Sequence, residues 1–384
     1  MHLPPAFPYV RTFVMTGRQA AGVARAHLVD LHEALCAAGF QSELVMVEDG
    51  PGFLARAQRE GRPFFTIDGN QKIKLPAGIR KFSKMVDHPC SRIGDLVGAD
   101  AADVVLGWVD ASHMAAAKAF GLPFRSGFFP HAGVEPAAAP MGLADRDIDL
   151  LFAGGLAEPL DRDGWLAANP HVPAVVADVT FETVALLDQA EPVLPLFVAV
   201  AARHGIDVSR QMQADVLCTT ISRILTISEM NRRCAILAAL PDSVRIAIAS
   251  AHLPTPLRGR PNVTHLGFID DFGEIRKLMG RSRIVLNCTN KFPDGAHERI
   301  WYGMAEGAAI VTDASRYLER DFVHGRDILY LPRHGDLSEI SSEITQLLAD
   351  PQRLNRMVDA ARPIYAAGHT WRSRLETLFA LVAP

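Results

Sequence analysis

Short apolar runs bounded by Gly, Pro or Asp recur along the chain and alternate with stretches in which apolar residues return every three or four positions. In the first third this pattern predicts strands at Thr12–Thr16, Ser42–Val47, Pro63–Asp68 and Val104–Val109. Helices are predicted over Val23–Ala38 and Ser112–Phe120, ended by Gly39 and Gly121. Strands alternating with helices imply a parallel sheet covered by helices. The Pro- and Ala-rich run Glu135–Asp147 then interrupts the pattern, and a new strand, Ile148–Ala153, closes on Gly154-Gly155. From Asp178 to Leu240 the spacing is helical, with segments such as Asp215–Ile227 and Glu229–Leu240, and reads as an insertion. Strand signals resume at Val244–Ala249, Val263–Leu266, Ile284–Cys288, Ala309–Thr312 and Ile328–Leu331, followed by helices around Asp336–Ala349 and Trp371–Val382. The expected organisation is a first domain over residues 1–140 and a second over 148–365 with a helical insertion at about 157–243. A last helix within 366–384 is expected to pack back on the first domain.

The richest stretch is Arg283–Asp313, RIVLNCTNKFPDGAHERIWYGMAEGAAIVTD. A buried strand leads into Pro293-Asp294-Gly295, and a helix is predicted to start around Ala296. Unpaired N–H groups at such a start, together with the helix dipole, favour a phosphate or carboxylate. Gly154-Gly155 after an apolar strand would let the backbone approach a phosphate, or form a plain tight turn.

Composition narrows the partners. With 384 residues, 49% of them hydrophobic, the chain has material for two cores. A net charge of −4 gives no general pull toward nucleic acid or anionic lipid, so anion binding must be local. The five cysteines are scattered and never form a Cys-x-x-Cys pair, which argues against a disulfide framework and a zinc site. The start, MHLPPAFPYVRTF, lacks the pattern of a signal peptide, and no apolar run reaches membrane-spanning length, so a cytoplasmic location is expected. GRQAAG (Gly17–Gly22) lacks the middle glycine of a dinucleotide fingerprint, which argues against an NAD-dependent dehydrogenase.

The run Ile269–Asp313, with its GAHERIWYGMAEGAAIVTD core, resembles the donor-binding half of GT-B glycosyltransferases, in particular the group 1-like proteins that include the CgeB-like family. DIDLLFAGG, NVTHLGFIDD (Asn262–Asp271) and GHTWRSRLETLF extend the resemblance over roughly 148–384. VDHP (Val86–Pro89) and FFPHAG (Phe128–Gly133) support it weakly in the first third. The resemblance implies an α/β GT-B fold: two Rossmann-like domains facing a cleft, the second carrying the insertion and holding a UDP- or GDP-sugar. It implies transfer of the sugar to a glycan, lipid or protein acceptor, with no cofactor, no metal, no nucleic-acid partner and no transmembrane segment. Alternatives are a catalytically silent nucleotide-binding protein and a GT-B-fold nucleotide-sugar epimerase.

The Glu-x7-Glu motif of group 1 enzymes falls, through the Gly-Met-Ala-x-Gly alignment, on Asp294 and Tyr302, neither of which is Glu. Tyr302 would offer the ribose one hydroxyl where a carboxylate accepts two hydrogen bonds. Glu298, one helical turn away, is the candidate replacement, and the pair Glu298 and Glu306 matches only in spacing. Candidate donor-binding residues are therefore Gly154, Gly155, Gly267, Phe268, Asp294, Gly295, Ala296, His297, Glu298, Arg299 and Tyr302. The plain alternatives are capping for Asp294 and Glu298, a solvated arginine for Arg299, and core packing for Phe268. Arg232-Arg233 reads as surface charge on the inserted helices. Candidate catalytic groups are His131, and Asp87 with His88; a histidine near a carboxylate suits a general base. The plain alternative for Asp87-His88-Pro89 is a capped turn.

Overall fold

The computed structural model describes residues 7–9, 11–16, 23–46, 50–70, 73–187, 192–208, 215–331 and 336–384. Residues 17–22 (GRQAAG), Val47 and most of the first ten residues lie outside them. The chain folds into two compact units. Unit 1 is Met1–Glu135, Asp270–Phe272 and Tyr365–Pro384; unit 2 is Pro136–Ile269 and Gly273–Ile364.

Unit 1 is built on a six-stranded, wholly parallel sheet. Its strands are β1 (Arg11–Thr16), β2 (Gln41–Met46), β3 (Phe64–Gly69), β4 (Lys81–Met85), β5 (Val104–Trp108) and β6 (Arg125–Phe128), in the order β2-β1-β3-β4-β5-β6. Helices α1 (Val23–Ala37), α2 (Gly50–Glu60), α3 (Ile93–Leu96) and α4 (Ala111–Ala119) connect them. Asp110 caps α4 by accepting from the amides of Ser112 and His113. Helix α4 gives way at Gly121, whose φ of 67° a side chain would resist. On one face, Val14, Phe65, Ile67, Phe82 and Val105 pack against Trp371, Leu375, Leu378, Phe379 and Val382 of the last helix.

Unit 2 has its own six-stranded parallel sheet: β7 (Ile148–Ala153), β8 (Ile246–Ala249), β9 (Val263–His265), β10 (Ser282–Asn287), β11 (Ala309–Asp313) and β12 (Leu329–Leu331). The order is β12-β11-β10-β7-β8-β9. From β7 the chain first adds strands on one side, then returns through β10 to build the other. The order therefore reverses between β7 and β10, and in open α/β sheets ligands settle at the carboxyl ends of such a pair. The helices are α5 (Arg162–Ala168), α6 (Ala174–Leu186), α7 (Val193–Arg203), α8 (Asp215–Ala239), α9 (Phe272–Gly280), α10 (Glu298–Ala305), α11 (Leu337–Ala349), α12 (Pro351–Gly368) and α13 (Trp371–Val382), the last lying in unit 1.

Helices α5 to α8 form the helical segment between β7 and β8. Its helices run from Arg162 to Ala239, and Asp215–Ala239 is one continuous helix where two segments were expected. Ser228 and Glu229 sit mid-helix because tertiary contacts satisfy them: Asn290 Nδ2 donates to Ser228 Oγ, and Glu229 is ion-paired. The inner end of α8 (Ile236, Leu237) joins Leu150, Phe152, Ile248, Ile284, Leu286 and Val311 in the main core. Among the described residues no helix is long and apolar enough to cross a membrane.

Candidate functional site: a buried arginine pair at the strand reversal of unit 2

β7 delivers Gly154-Gly155 and β10 delivers Cys288, Thr289, Asn290 and Lys291 to the same edge of the sheet, because the two strands pair side by side. Two arginines converge there. Arg299, in the first turn of α10, is 6% exposed, and Arg233, on α8, is 4% exposed. Their guanidinium carbons lie 5.4 Å and 5.5 Å from the Phe152 ring centroid. Arg233 is not surface charge, as its sequence context suggested: it donates to Cys288 O at 2.8 Å, to Gly155 O at 3.0 Å and to Glu229 Oε1 at 2.7 Å. Arg299 donates to Asn287 Oδ1 at 2.9 Å. A Cβ at Gly154 would stand 2.7 Å from Arg299 Nη2, so any side chain there displaces the guanidinium.

The electrostatics are lopsided. Burial, and then the neighbouring Arg233, lower the Arg299 guanidinium to about 10. Burial alone would raise the Glu229 carboxyl, but Arg233 and Lys291 beside it outweigh that and bring it below the usual range. Lys291 Nζ reaches Glu229 Oε2 at 2.6 Å, and Thr289 Oγ1 donates to Glu229 Oε1 at 2.6 Å. Arg233, Arg299 and Lys291 thus face two carboxylates, Glu229 and Glu298, leaving a surplus of one positive charge where the backbone carries no side chain. Such a place suits an anion, and planar guanidiniums match phosphate oxygens.

The helix start does less than the sequence implied. α10 begins at Glu298, not near Ala296, because the His297 ring takes the cap position: its Nδ1 accepts from the Arg299 amide at 3.3 Å. His297 Nδ1 also lies 3.1 Å from Glu298 Oε2. Gly295 and Ala296 precede the helix, and Gly295 O accepts from Ser315 Oγ at 2.6 Å. Asp294 forms a two-point ion pair with Arg316, at 2.6 and 2.5 Å. Tyr302 is fully buried, with the Arg276 guanidinium 5.8 Å from its ring centroid. Glu306 is held by Arg276 at 2.9 and 2.7 Å. The loop after β9 presents Phe268 at 67% exposure beside Gly267, whose φ is 73°.

In unit 1, Asp87 and His88 are engaged in local structure. Asp87 accepts from Asn70 at 2.9 Å and from Arg92 at 2.8 and 2.5 Å. His88 caps the turn at Pro89–Arg92 by accepting from Cys90 N at 3.2 Å, and packs edge-on against His113 at 5.0 Å. Burial, and then His113, hold the His88 ring well below the ordinary histidine range. His131 is 1% exposed, and its Nδ1 lies 3.0 Å from Lys84 Nζ. Sequence reasoning passed over Glu229, Asn287, Thr289, Lys291 and Lys84. A polar Asn-Cys-Thr-Asn-Lys run directly after an apolar strand was the available signal for three of the five.

Two Rossmann-like units in sequence, the second with a buried arginine pair at its strand reversal, define the GT-B class of proteins. Residues 232–380 match a sequence profile described as glycosyl transferase-like. Solved structures with similar folds include sucrose-phosphate synthase from Thermosynechococcus elongatus, at 13% identity and a TM-score of 0.52, covering 97% of this chain and 98% of that one. The DNA-modifying β-glucosyltransferase, solved in the presence and absence of its substrate uridine diphosphoglucose, is similar at 10% identity and a TM-score of 0.54, covering 97% and 99%. Anabaena HepE in complex with UDP-glucose is similar at 12% identity and a TM-score of 0.50, covering 96% and 98%. No curated protein sequence matches the chain. The fold is GT-B, and the resemblance to the group 1-like proteins is supported over 232–380.

Proposed function

We propose that the chain transfers a sugar from a nucleotide-diphosphate donor, a UDP- or GDP-sugar, to a hydroxyl-bearing glycan, lipid or protein acceptor without a metal ion. The observation that carries this reading is the pair of buried guanidiniums, Arg233 and Arg299, set against one ring beside Gly154-Gly155 at the reversal of the unit 2 sheet. As the glycosidic bond breaks, negative charge develops on the leaving diphosphate. Fixed cations in a site of low dielectric stabilise that charge without reorganising. Arg299 would take a phosphate oxygen, Arg233 and Lys291 would balance the second phosphate, and Gly154-Gly155 would let the anion approach the main chain. The similar folds solved with UDP-glucose favour uridine over guanosine.

The test is a thermal-shift series with UDP, GDP, ADP, CMP and dTDP on the whole protein and on Arg299→Met. A nucleotide at a hundredfold excess over its dissociation constant adds about 2.7 kcal/mol of stability. A shift with UDP or GDP that Arg299→Met abolishes is the expected result. No shift with any diphosphate, or one that Arg299→Met keeps, overturns the donor-site assignment.

A further inference from the structure

A cavity of about 230 Å³ opens in unit 1 at the amino ends of β4 and β5, where Lys81 pairs with Val104. Open parallel sheets take their principal ligands at the opposite, carboxyl ends of the strands, so this cavity stands apart from such a site. It shares no residue with the arginine pair of unit 2. Its polar lining is Lys74, Lys81, Asp95, Asp100 and Asp103, and Pro76 and Ile79 supply an apolar wall.

Lys81 makes the cavity more than a surface hollow. Its side chain is 2% exposed, yet its Nζ makes a single hydrogen bond, to Ile73 O. Asp68 Oδ2 lies 3.6 Å from Nζ, close enough for an ion pair but beyond hydrogen-bond reach. An ammonium carries three N–H donors, so two of them lack an acceptor among the described residues. Asp68, fully buried, has the complementary deficit: Oδ2 accepts from Ile73 N at 2.9 Å, while Oδ1 has no hydrogen-bond partner. Buried ionic groups left short of hydrogen bonds are costly, and burial accordingly pushes the Asp68 carboxyl up and the Lys81 ammonium down.

Charge and size decide what could enter. Three cations, Lys74, Lys81 and Arg92, stand against four carboxylates, Asp68, Asp95, Asp100 and Asp103. That near balance gives a phosphate no net attraction and three carboxylates on the lining to face. Asp100 and Asp103 each accept from one main-chain amide, of Ala102 and Gly78, through one oxygen, which leaves the other able to accept from a ligand. The lining thus presents donors and acceptors side by side, and a hydroxyl, which both donates and accepts, answers both. At about 230 Å³ the cavity falls below the ~300 Å³ at which pockets for drug-sized ligands begin, a size that suits one sugar ring and not a nucleotide.

We propose that this cavity is a subsite for one neutral sugar ring, held by Lys81 together with the Asp100 and Asp103 carboxylates. That the ring belongs to a glycan on which the chain acts rests on the glycosyltransferase reading; the binding itself does not.

The experiment is saturation-transfer difference NMR on the full chain with glucose, galactose, mannose and N-acetylglucosamine as probes. At least one is expected to bind with a dissociation constant of about 1–10 mM. Lys81→Met should weaken that binding at least about tenfold, the loss of one charge-assisted hydrogen bond. Ala77→Trp, at an exposed position on the lining, should block it, and decides the matter should Lys81→Met not fold. No signal from any of the sugars at several times that concentration overturns the proposal. So does binding unchanged in Ala77→Trp or in a folded Lys81→Met. Glucose 6-phosphate should bind more weakly than glucose, and tighter binding overturns the assignment to a neutral ligand. The signal that Ala77→Trp removes should persist with UDP present and in Arg299→Met; its loss in either would move the ring to the arginine pair of unit 2 and overturn this site. Should UDP itself not bind, the glycosyltransferase reading fails, while Ala77→Trp still decides the sugar subsite.

Discussion

Replacing Arg299 with methionine should separate stability from ligand binding, because the fold keeps this side chain charged at a cost. A guanidinium lowered from the usual arginine range to about 10 by burial and by Arg233 corresponds to roughly 3 kcal/mol of disfavoured charge in the empty protein. Methionine removes that penalty, fills much the same volume and forfeits the hydrogen bond to Asn287 Oδ1, a loss of about 1–3 kcal/mol. These terms nearly cancel, so unfolding free energy should change by no more than about 1 kcal/mol in either direction. Binding behaves differently, since a phosphate is the partner that would compensate the buried cation. Losing a charge-assisted contact worth about 1.5–3 kcal/mol weakens a nucleoside diphosphate by roughly ten- to hundredfold. Urea denaturation gives the first quantity and isothermal titration with UDP the second. A variant that is several kcal/mol less stable yet binds UDP at wild-type affinity would show that Arg299 is a structural tie and that the charge argument is wrong.

Further outcomes follow from individual contacts. Buried His27 and His88 stay neutral in the folded protein, whereas unfolded histidines take up a proton near pH 6.5. The unfolded state then binds more protons below that pH. The stability contributed is full above about pH 6.5 and falls as the pH drops, by up to roughly 1.4 kcal/mol per pH unit for each ring. A urea midpoint that stays flat from pH 7.5 to 5 would refute this, and His88→Asn, whose amide oxygen can still accept from Cys90 N, should lessen the slope. Arg146, 2% exposed, donates to the carbonyls of Met141, Ser282 and Glu306 at 2.7–3.1 Å. Arg146→Met leaves those buried oxygens short of donors and should cost at least about 3 kcal/mol by urea denaturation, without a change in m-value. At Gly303 of α10 a Cβ would stand 2.6 Å from Ile310 Cδ1 and 3.2 Å from Val285 Cβ, so Gly303→Ala should lower stability by about 1–3 kcal/mol through overpacking; an unchanged Tm would contradict it.

What the sequence disclosed, and what it concealed, follows from where polarity and burial agree. β7, β10 and β11 are largely apolar and were legible as buried strands. β4, KFSKM, was not, because Lys81 and Lys84 read as surface residues. In the structure Lys81 pairs with buried Asp68 at 3.6 Å, and Lys84 finds two imidazoles. Helix α12 escaped notice through Pro363, which lies inside it, and α2 through the glycines in its first turn. At the site, Gly154-Gly155 and Arg299 could be singled out by position after strand and loop. Arg233 could not, since it reaches the Gly154-Gly155 turn from the far end of an inserted helix, and one residue pair, Arg232-Arg233, looks like any solvated face. Arg232 itself is tied to Asp313 at 2.6 Å, which in turn accepts from Thr289 N at 2.7 Å.

The terminal helix has a consequence for how the chain is made. Trp371, Leu375, Leu378, Phe379 and Val382 belong to the core of unit 1, yet the ribosome adds them after the whole of unit 2. Until then the apolar face formed by Val14, Phe65, Ile67, Phe82 and Val105 has only Leu28, Leu31 and Leu35 of α1 to cover it, and Gly133 lacks the main-chain partners that hold the His131 loop. Unit 2 needs no such late arrival and can mature first. Unit 1, begun first, thus waits, half-covered, for a segment made after unit 2, which reverses the usual order in which early domains finish during synthesis.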